Sequence, residues 1–157
     1  MTPDDWLLIL NQPEYEWSSR EDPRKGATEG DLESLTLWCG HLLPEDYMAF
    51  LRLTNGADIW HKAFGTIRIW PTHQIPHFSA VEGFDAIPGV MAFGDDTSEE
   101  VLAFDMQSRH AKRPYPVYCF DINTLHWGWD AAIHVADTFT DLVLLRQDLL
   151  HEVNKPQ

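Results

Sequence analysis

Residues 43–56 read LPEDYMAFLRLTNG, and this stretch gives the clearest helix signal in the chain. Pro44 suits the first turn of a helix, where a missing backbone N–H leaves no hydrogen bond unmade. Glu45 and Asp46 follow at the positive end of the helix dipole. The side chains that recur at helical spacing are Tyr47, Phe50, Leu51 and Thr54, and we expect the first three to lie buried against a sheet. Asn55-Gly56 then predicts a left-handed stop.

Two shorter helices are predicted upstream of this stretch. Thr2 can cap a first helix over the residues that follow it. Thr28 begins a second, because Asp31 lies three residues later as in a capping box and Gly40 can end the helix. The apolar side chains of this second helix at helical spacing are Leu32, Leu35 and Trp38. Residues 11–26, which contain two prolines and mixed charge, are interpreted as a loop.

Beyond Gly56 the hydrophobic pattern changes from helical to alternating. Strands are predicted at residues 66–69, 90–93, 101–104 and 117–120. The second and third of these flank an acidic turn at residues 95–100 and resemble a hairpin, whereas the last is apolar on both faces and is therefore expected to be central. A final helix starts near Asp137, and its buried stripe is Phe139, Leu142, Val143, Leu145 and Leu149. Helices followed by strands and a helix predict an α+β fold.

The composition narrows the classes of function. The chain has 157 residues, enough for a single domain, and its 25 acidic residues oppose 11 basic ones to give a formal net charge of −14. Such a charge repels nucleic-acid phosphates and anionic lipid headgroups and attracts cationic surfaces, although it can also serve solubility alone. No apolar run approaches the ~20 residues of a membrane span, and the acidic N-terminus is unlike a secretory signal, so we expect a cytoplasmic protein. Cys39 and Cys119 are expected to be free, buried thiols.

Four motifs in order resemble the SUKH superfamily. The motifs are LPEDY…FL…NG at 43–56, MAFGDD at 91–96 with VLAFD at 101–105, PVYCFD at 116–121, and VADTFTDL at 135–142. The resemblance implies a mostly antiparallel twisted sheet flanked by N-terminal helices and a C-terminal helix. It also implies a domain at residues 28–150, with residues 1–27 as an extension packed on it and residues 151–157 as a tail.

The same resemblance carries an expectation about function. Bacterial SUKH members are similar to immunity proteins that neutralise polymorphic toxins, many of which are nucleases. Fungal members resemble regulators of cell-wall synthesis and act as interaction hubs. Neither branch is known for catalysis, so the resemblance implies a protein-binding chain that is not an enzyme, although likeness of fold does not by itself fix function.

Four carboxylates crowd the acidic turn, and they are the first candidate for a binding site. They are Asp95, Asp96, Glu99 and Glu100. The cluster is interpreted either as a solvated hairpin tip or as a contact surface for a basic partner, whose approach it would accelerate and orient. A calcium site is disfavoured because the spacing lacks the register of an EF-hand loop.

Tryptophans are the second candidate, since this residue is enriched among interface hot spots. Trp127-Gly128-Trp129 is expected to place two indoles on one side of an extended segment, where they either pack over the sheet or anchor a partner. Trp60 and Trp70 have the same two interpretations. We take Trp60, Trp127 and Trp129 as candidate partner-binding residues beside the four carboxylates.

No pattern in the sequence indicates a catalytic centre, a metal or a cofactor. His73 and His77 are four apart, but Pro76 between them is expected to prevent a shared helix face. The zinc motifs, the P-loop, the dinucleotide fingerprint and the nucleophile elbow do not occur. The leading hypothesis is therefore an immunity-type protein that occludes a cationic toxin domain. The alternatives are a regulatory module with an endogenous partner and a hydrolase with dispersed carboxylates.

Overall fold

The computed structural model describes residues 1–21, 23–107 and 113–144. Its α-helices are α1 (Pro3–Leu10), α2 (Glu29–Cys39), α3 (Glu45–Leu53), α4 (Gln74–Glu82) and α5 (Phe139–Leu144). Its strands are β1 (Tyr15–Ser19), β2 (Ala57–His61), β3 (Gly65–Ile69), β4 (Val90–Asp95), β5 (Glu100–Asp105), β6 (Val117–Asp121) and β7 (Ile133–Ala136). Short 3₁₀ segments cover Phe84–Ala86 and Ile122–Ala131. None of the described helices has the length and apolar content that crossing a bilayer requires.

The strands form one antiparallel sheet in which spatial order equals sequence order, from β1 to β7. The hairpins β2–β3 and β4–β5 turn at the same end of this meander. Helices lie in the connections between strands: α2 and α3 lie between β1 and β2, and α4 lies between β3 and β4. The predicted α+β class, with its antiparallel sheet and its flanking N-terminal and C-terminal helices, is confirmed.

Aromatic rings fill the core on the face of the sheet that α1, α3 and α5 cover. Phe50 lies 5.6 Å from Trp6 and 5.4 Å from Phe139, ring centroid to ring centroid. Tyr47 packs at 5.2 Å from both Phe104 and Phe139. The predicted burial of Tyr47, Phe50 and Leu51 is confirmed, since none of the three has exposed surface.

The opposite, outer face is covered only in part. By strand alternation, Tyr118 and Phe120 of β6 lie on this face. Phe84 and Trp129 pack against Phe120 at 5.8 and 5.2 Å, so the 3₁₀ segments cover the half of the sheet around β6. The half formed by β1, β2 and β3 presents polar residues and the exposed indole of Trp60.

The residues before α2 contribute to this same core. Trp6 and Leu10 of α1 are buried, and the Trp6 indole N–H donates to the carbonyl of Asp46 at 2.8 Å. The hydroxyl of Tyr15 in β1 donates to the carbonyl of Val143 in α5 at 2.7 Å. The first strand is therefore joined to the last described helix as well as to its sheet neighbour.

The starts of α1 and α2 are capped as predicted, but the end of α3 differs from the prediction. Thr2 and Thr28 each form a complete capping box, with Asp5 and Asp31 respectively. After α3, Thr54 is extended rather than left-handed. Gly56 does have a positive φ of 91°, which it uses to turn the chain toward β2 beside the backbone of Pro71. The prediction that Asn55-Gly56 ends α3 in a left-handed conformation is therefore wrong, because the helix has already ended at Leu53.

Three local expectations are corrected by the structure. Residues 15–19, inside the predicted loop, form β1 because β2 supplies a partner for their backbone. Pro76 does not exclude a helix, since it lies in the first turn of α4, where its missing N–H is not needed. The segment around Gly128 is 3₁₀-helical with a kink and is not extended. Leu145 and Leu149 of the predicted stripe, and the tail at residues 151–157, lie outside the described residues.

Candidate partner-binding surface

The acidic turn between β4 and β5 is held by its own carboxylates. Asp95 accepts a hydrogen bond from the indole N–H of Trp70 and another from the backbone N–H of Thr97, each at 2.7 Å. Thr97 adopts a positive φ of 68°, which tightens the turn. Asp96 accepts from the backbone N–H of Ser98 at 2.9 Å. Asp95 and Asp96 are half-buried, and they shape the turn as well as charging it.

The other two carboxylates of the turn connect it to β6 and to the segment that follows. Glu99 accepts from the side-chain amide of Asn123 at 2.7 Å. Glu100 accepts from the Cys119 thiol at 3.1 Å. Burial raises the pKa of that thiol, and the hydrogen bond to Glu100 raises it further, so Cys119 stays protonated. Both cysteines are free, as predicted, although Cys39 is only half-buried.

One end of the sheet is therefore strongly negative. We call this end, made of Asp95, Asp96, Glu99, Glu100 and Asp121, the acidic end. Asp121 lies opposite Glu100 in the β5–β6 register and is exposed. Within the described part of the chain, no lysine or arginine forms an ion pair with any of the five. Nor do the described residues contain a group of three or more potential ligands arranged to hold a metal ion.

Trp60 lies near this acidic end on the outer face. It stands between Glu16 and Thr66 in the strand register and keeps 42% of its surface exposed. Neighbouring residues on the same face are Asp58, paired with Arg68 at 3.0 Å, and Asp95, which stands opposite Arg68. Two strand spacings separate β2 from β4, about 10 Å. The structure therefore brings Trp60 and the acidic turn onto one surface.

Trp127 and Trp129 lie elsewhere and differ from each other. Trp129 donates its indole N–H to the carbonyl of Pro88 at 2.7 Å and packs on Tyr118, so it serves the fold. Trp127 keeps 62% of its surface exposed. Pro88 precedes β4, whereas the acidic turn follows it, and a strand of this length spans roughly 17–20 Å. The two indoles expected to share one side are thus separated by the kink at Gly128, near the opposite end of the strand.

One exposed aromatic residue escaped the sequence analysis. Trp38 recurs at helical spacing with Leu32 and Leu35 of α2, but 39% of its surface is exposed. Leu37 beside it is 76% exposed. Consecutive apolar residues at the end of an amphipathic helix cannot all face the core. The run of Leu37 and Trp38 therefore indicates that at least one of these side chains is exposed.

Comparison with known proteins identifies a family. A family model described as SMI1 / KNR4 family (SUKH-1) matches residues 26–144, well over half of the chain. No curated protein matches the chain. The matched range begins just before α2 and includes β2 to β7 and all of the described part of α5.

Proposed function

Because the chain belongs to the SMI1/KNR4 family (SUKH-1), we propose that it is an immunity-type protein that binds one cognate toxin and neutralises it by occlusion. The family supports an immunity-like or regulatory role through protein–protein interaction, and its members are generally not enzymes. The observation that carries the proposal is the family match over residues 26–144. The proposal adds to it a cationic toxin domain as the partner and the cytoplasm as the place of action.

Charge and rigidity support occlusion as the mode of action. The acidic end presents five carboxylates on a hairpin and on the end of β6, fixed by hydrogen bonds to neighbouring residues. A toxin that acts on an anionic substrate needs a basic groove, and a fixed negative surface competes for it. The exposed indole of Trp60 lies on the same side.

The required affinity indicates that charge alone is not sufficient. A nanomolar complex corresponds to about −12 kcal/mol. Exposed ion pairs contribute only about 0.2–1 kcal/mol each. A desolvated anchor must therefore accompany the carboxylates. Of the three candidate tryptophans, Trp60 and Trp127 are exposed enough to act as anchors. Trp129 instead donates a hydrogen bond to Pro88 and packs against Tyr118.

Co-expression with the toxin domain encoded beside this gene tests the proposal. We expect the full chain to restore growth and to co-purify with that domain. A regulatory role replaces the proposal if the neighbouring genes encode no toxin-like protein and pull-downs recover only a housekeeping partner.

Charge reversal at the acidic end is expected to slow association with the toxin domain. The double variant Glu99→Lys/Glu100→Lys leaves Asp95 and Asp96 in place to hold the turn. We expect the association rate at low salt to fall by about tenfold, with a smaller change in the dissociation rate, because long-range charge acts mainly on encounter. Surface-binding kinetics at several salt concentrations measure both rates.

The matched control is Asp4→Lys/Glu33→Lys, which changes the net charge equally on exposed residues of α1 and α2. These variants should retain most of the association rate. Equal slowing by both pairs means that net charge alone steers the partner, and that the acidic end is not the contact.

A further inference from the structure

Two adjacent clefts on the surface share a wall, and we call the pair the groove. The first, about 310 Å³, lies between the end of α2 and the segment before β4, and Trp38 and Asp85 line it. The second, about 300 Å³, lies between that segment and the 3₁₀ segment of Trp127, and Glu82 and Leu125 line it. Ile87 and Pro88 belong to both. The groove therefore runs from α2 to the neighbourhood of Trp127.

Exposed apolar side chains flank this groove at both ends. Trp38 and Leu42, at 39% and 62% exposure, lie at the α2 end. Trp127, at 62%, lies at the other end between His126 and Gly128, which line the second cleft. Exposed apolar side chains that lie close together, as Trp38 and Leu42 do in the sequence, are typical of interaction sites in soluble proteins. Each cleft is near the lower limit of ligand pockets, so the groove suits the side chains of a bound segment better than one compact molecule.

The walls of the groove are fixed before anything binds. The carbonyl of Pro88 accepts the indole N–H of Trp129 at 2.7 Å, which ties the shared wall to the 3₁₀ segment. The Ser79 hydroxyl donates to Asp85 at 2.8 Å, which ties α4 to the chain that follows it. A groove that exists in the free protein saves the ordering cost of binding.

Charge around the groove decides what can occupy it. Glu82 and Asp85 line the clefts, and Asp130 is exposed two residues beyond Gly128. Among the described residues that line the two clefts there is no lysine or arginine. Burial raises the pKa of the Cys39 thiol in the first cleft, so this thiol is neutral and gives no reactive thiolate near pH 7. The groove thus combines a mainly apolar second cleft and a more polar first cleft with a negative rim.

We propose that this groove, bounded by Trp38 and Trp127, binds a linear segment of the protein partner in which apolar side chains are flanked by lysine or arginine. The inference rests on the proposed protein-binding function and places its anchor away from Trp60. One apolar side chain of the segment occupies the second cleft and another packs against Trp38 at the first, and its cations face Glu82, Asp85 and Asp130. The acidic end then steers the partner, while the groove holds it.

Selection from a library of random short peptides displayed against the full chain tests this inference. We expect the enriched peptides to combine lysine or arginine with tryptophan, leucine or phenylalanine. Each of Trp38→Ala and Trp127→Ala should weaken their affinity by about tenfold or more, as removal of a hot spot does. Both side chains are exposed, so the variants keep the fold, and their melting temperatures check this.

Leu8→Ala is the control, because Leu8 in α1 is an exposed apolar residue like Trp38, at 71% against 39%. It should leave peptide affinity unchanged. Trp60→Ala is measured beside it, because Trp60 is the rival anchor. The inference is overturned if no peptide is enriched, if acidic peptides dominate, or if the enriched peptides lose affinity on Trp60→Ala and not on the groove variants. Growth rescue by the chain is measured separately. The proposed immunity function can therefore be supported when the groove does not bind peptides, and the groove can bind peptides when growth is not rescued.

Discussion

Phe50→Ala is expected to lower the free energy of unfolding by about 3–5 kcal/mol, the usual range for deleting a buried aromatic ring. Phe50 has no exposed surface, and its ring contacts Trp6 from α1 and Phe139 from α5. Its removal therefore opens a cavity where three helices meet, and none of them can move in without leaving the sheet. Urea denaturation followed by tryptophan fluorescence measures the change.

Two control variants test whether the loss of stability comes from the cavity at Phe50 or would follow any substitution in α2 or α3. Leu37→Ala, at a position 76% exposed, should change stability by no more than about 0.5 kcal/mol. Tyr47→Phe should leave stability unchanged or raise it, because within the described residues the buried Tyr47 hydroxyl has no hydrogen-bond partner. A Phe50→Ala variant with the melting temperature of the parent contradicts the core described above.

Gly26→Ala is expected to lower the free energy of unfolding by about 1–3 kcal/mol through overpacking. A Cβ at this position would clash with the carbonyl oxygen of Arg52, which belongs to the backbone of α3. The adjacent chain cannot retreat, since the backbone N–H of Ala27 donates to Leu51 at 2.7 Å and that of Asn55 donates to Lys25 at 2.8 Å. Thermal unfolding followed by circular dichroism reads out the loss.

Gly30→Ala is the matched substitution in the same part of the chain. Gly30 lies in the first turn of α2, and its added Cβ would meet only the Thr28 hydroxyl, at 3.6 Å. Alanine there should stabilise the protein by about 0.5–1 kcal/mol, because a helix favours it over glycine. If the two substitutions change stability in the same direction, the close crossing of Gly26 and Arg52 is not the cause.

Elements that depend on neighbours in sequence were predictable, and elements that depend on distant partners were not. The capping boxes at Thr2 and Thr28 and the apolar period of α3 are local, and each produces the expected helix. β1 escaped prediction because its five residues become a strand only through pairing with β2, beyond two intervening helices. The sequence does not predict α4, because Pro76 argues against a regular helix there. In the structure Pro76 lies in the first turn, where a proline does not interrupt a helix.

The candidate surface was predictable in composition but not in arrangement. The acidic turn is visible as four carboxylates in six residues, and it lies at a hairpin tip as expected. The sequence could not show that Asp95 also fixes Trp70, or that Trp60 lies near the acidic turn while Trp127 lies toward the opposite end of the strand. The groove was hidden because its walls come from α2, the segment before β4 and the 3₁₀ segment, which are far apart in the chain.

The bond between Tyr15 and Val143 has a consequence for biosynthesis. The first strand leaves the ribosome early, yet its sheet neighbour begins only at Ala57, and the carbonyl that its hydroxyl meets lies in the final described helix. Domains of this kind fold as units while translation proceeds from the N-terminus. β1 must therefore wait without its sheet neighbour until residues 57–61 have followed it, and nascent chains that stop before Val143 lack the contact that joins β1 to α5.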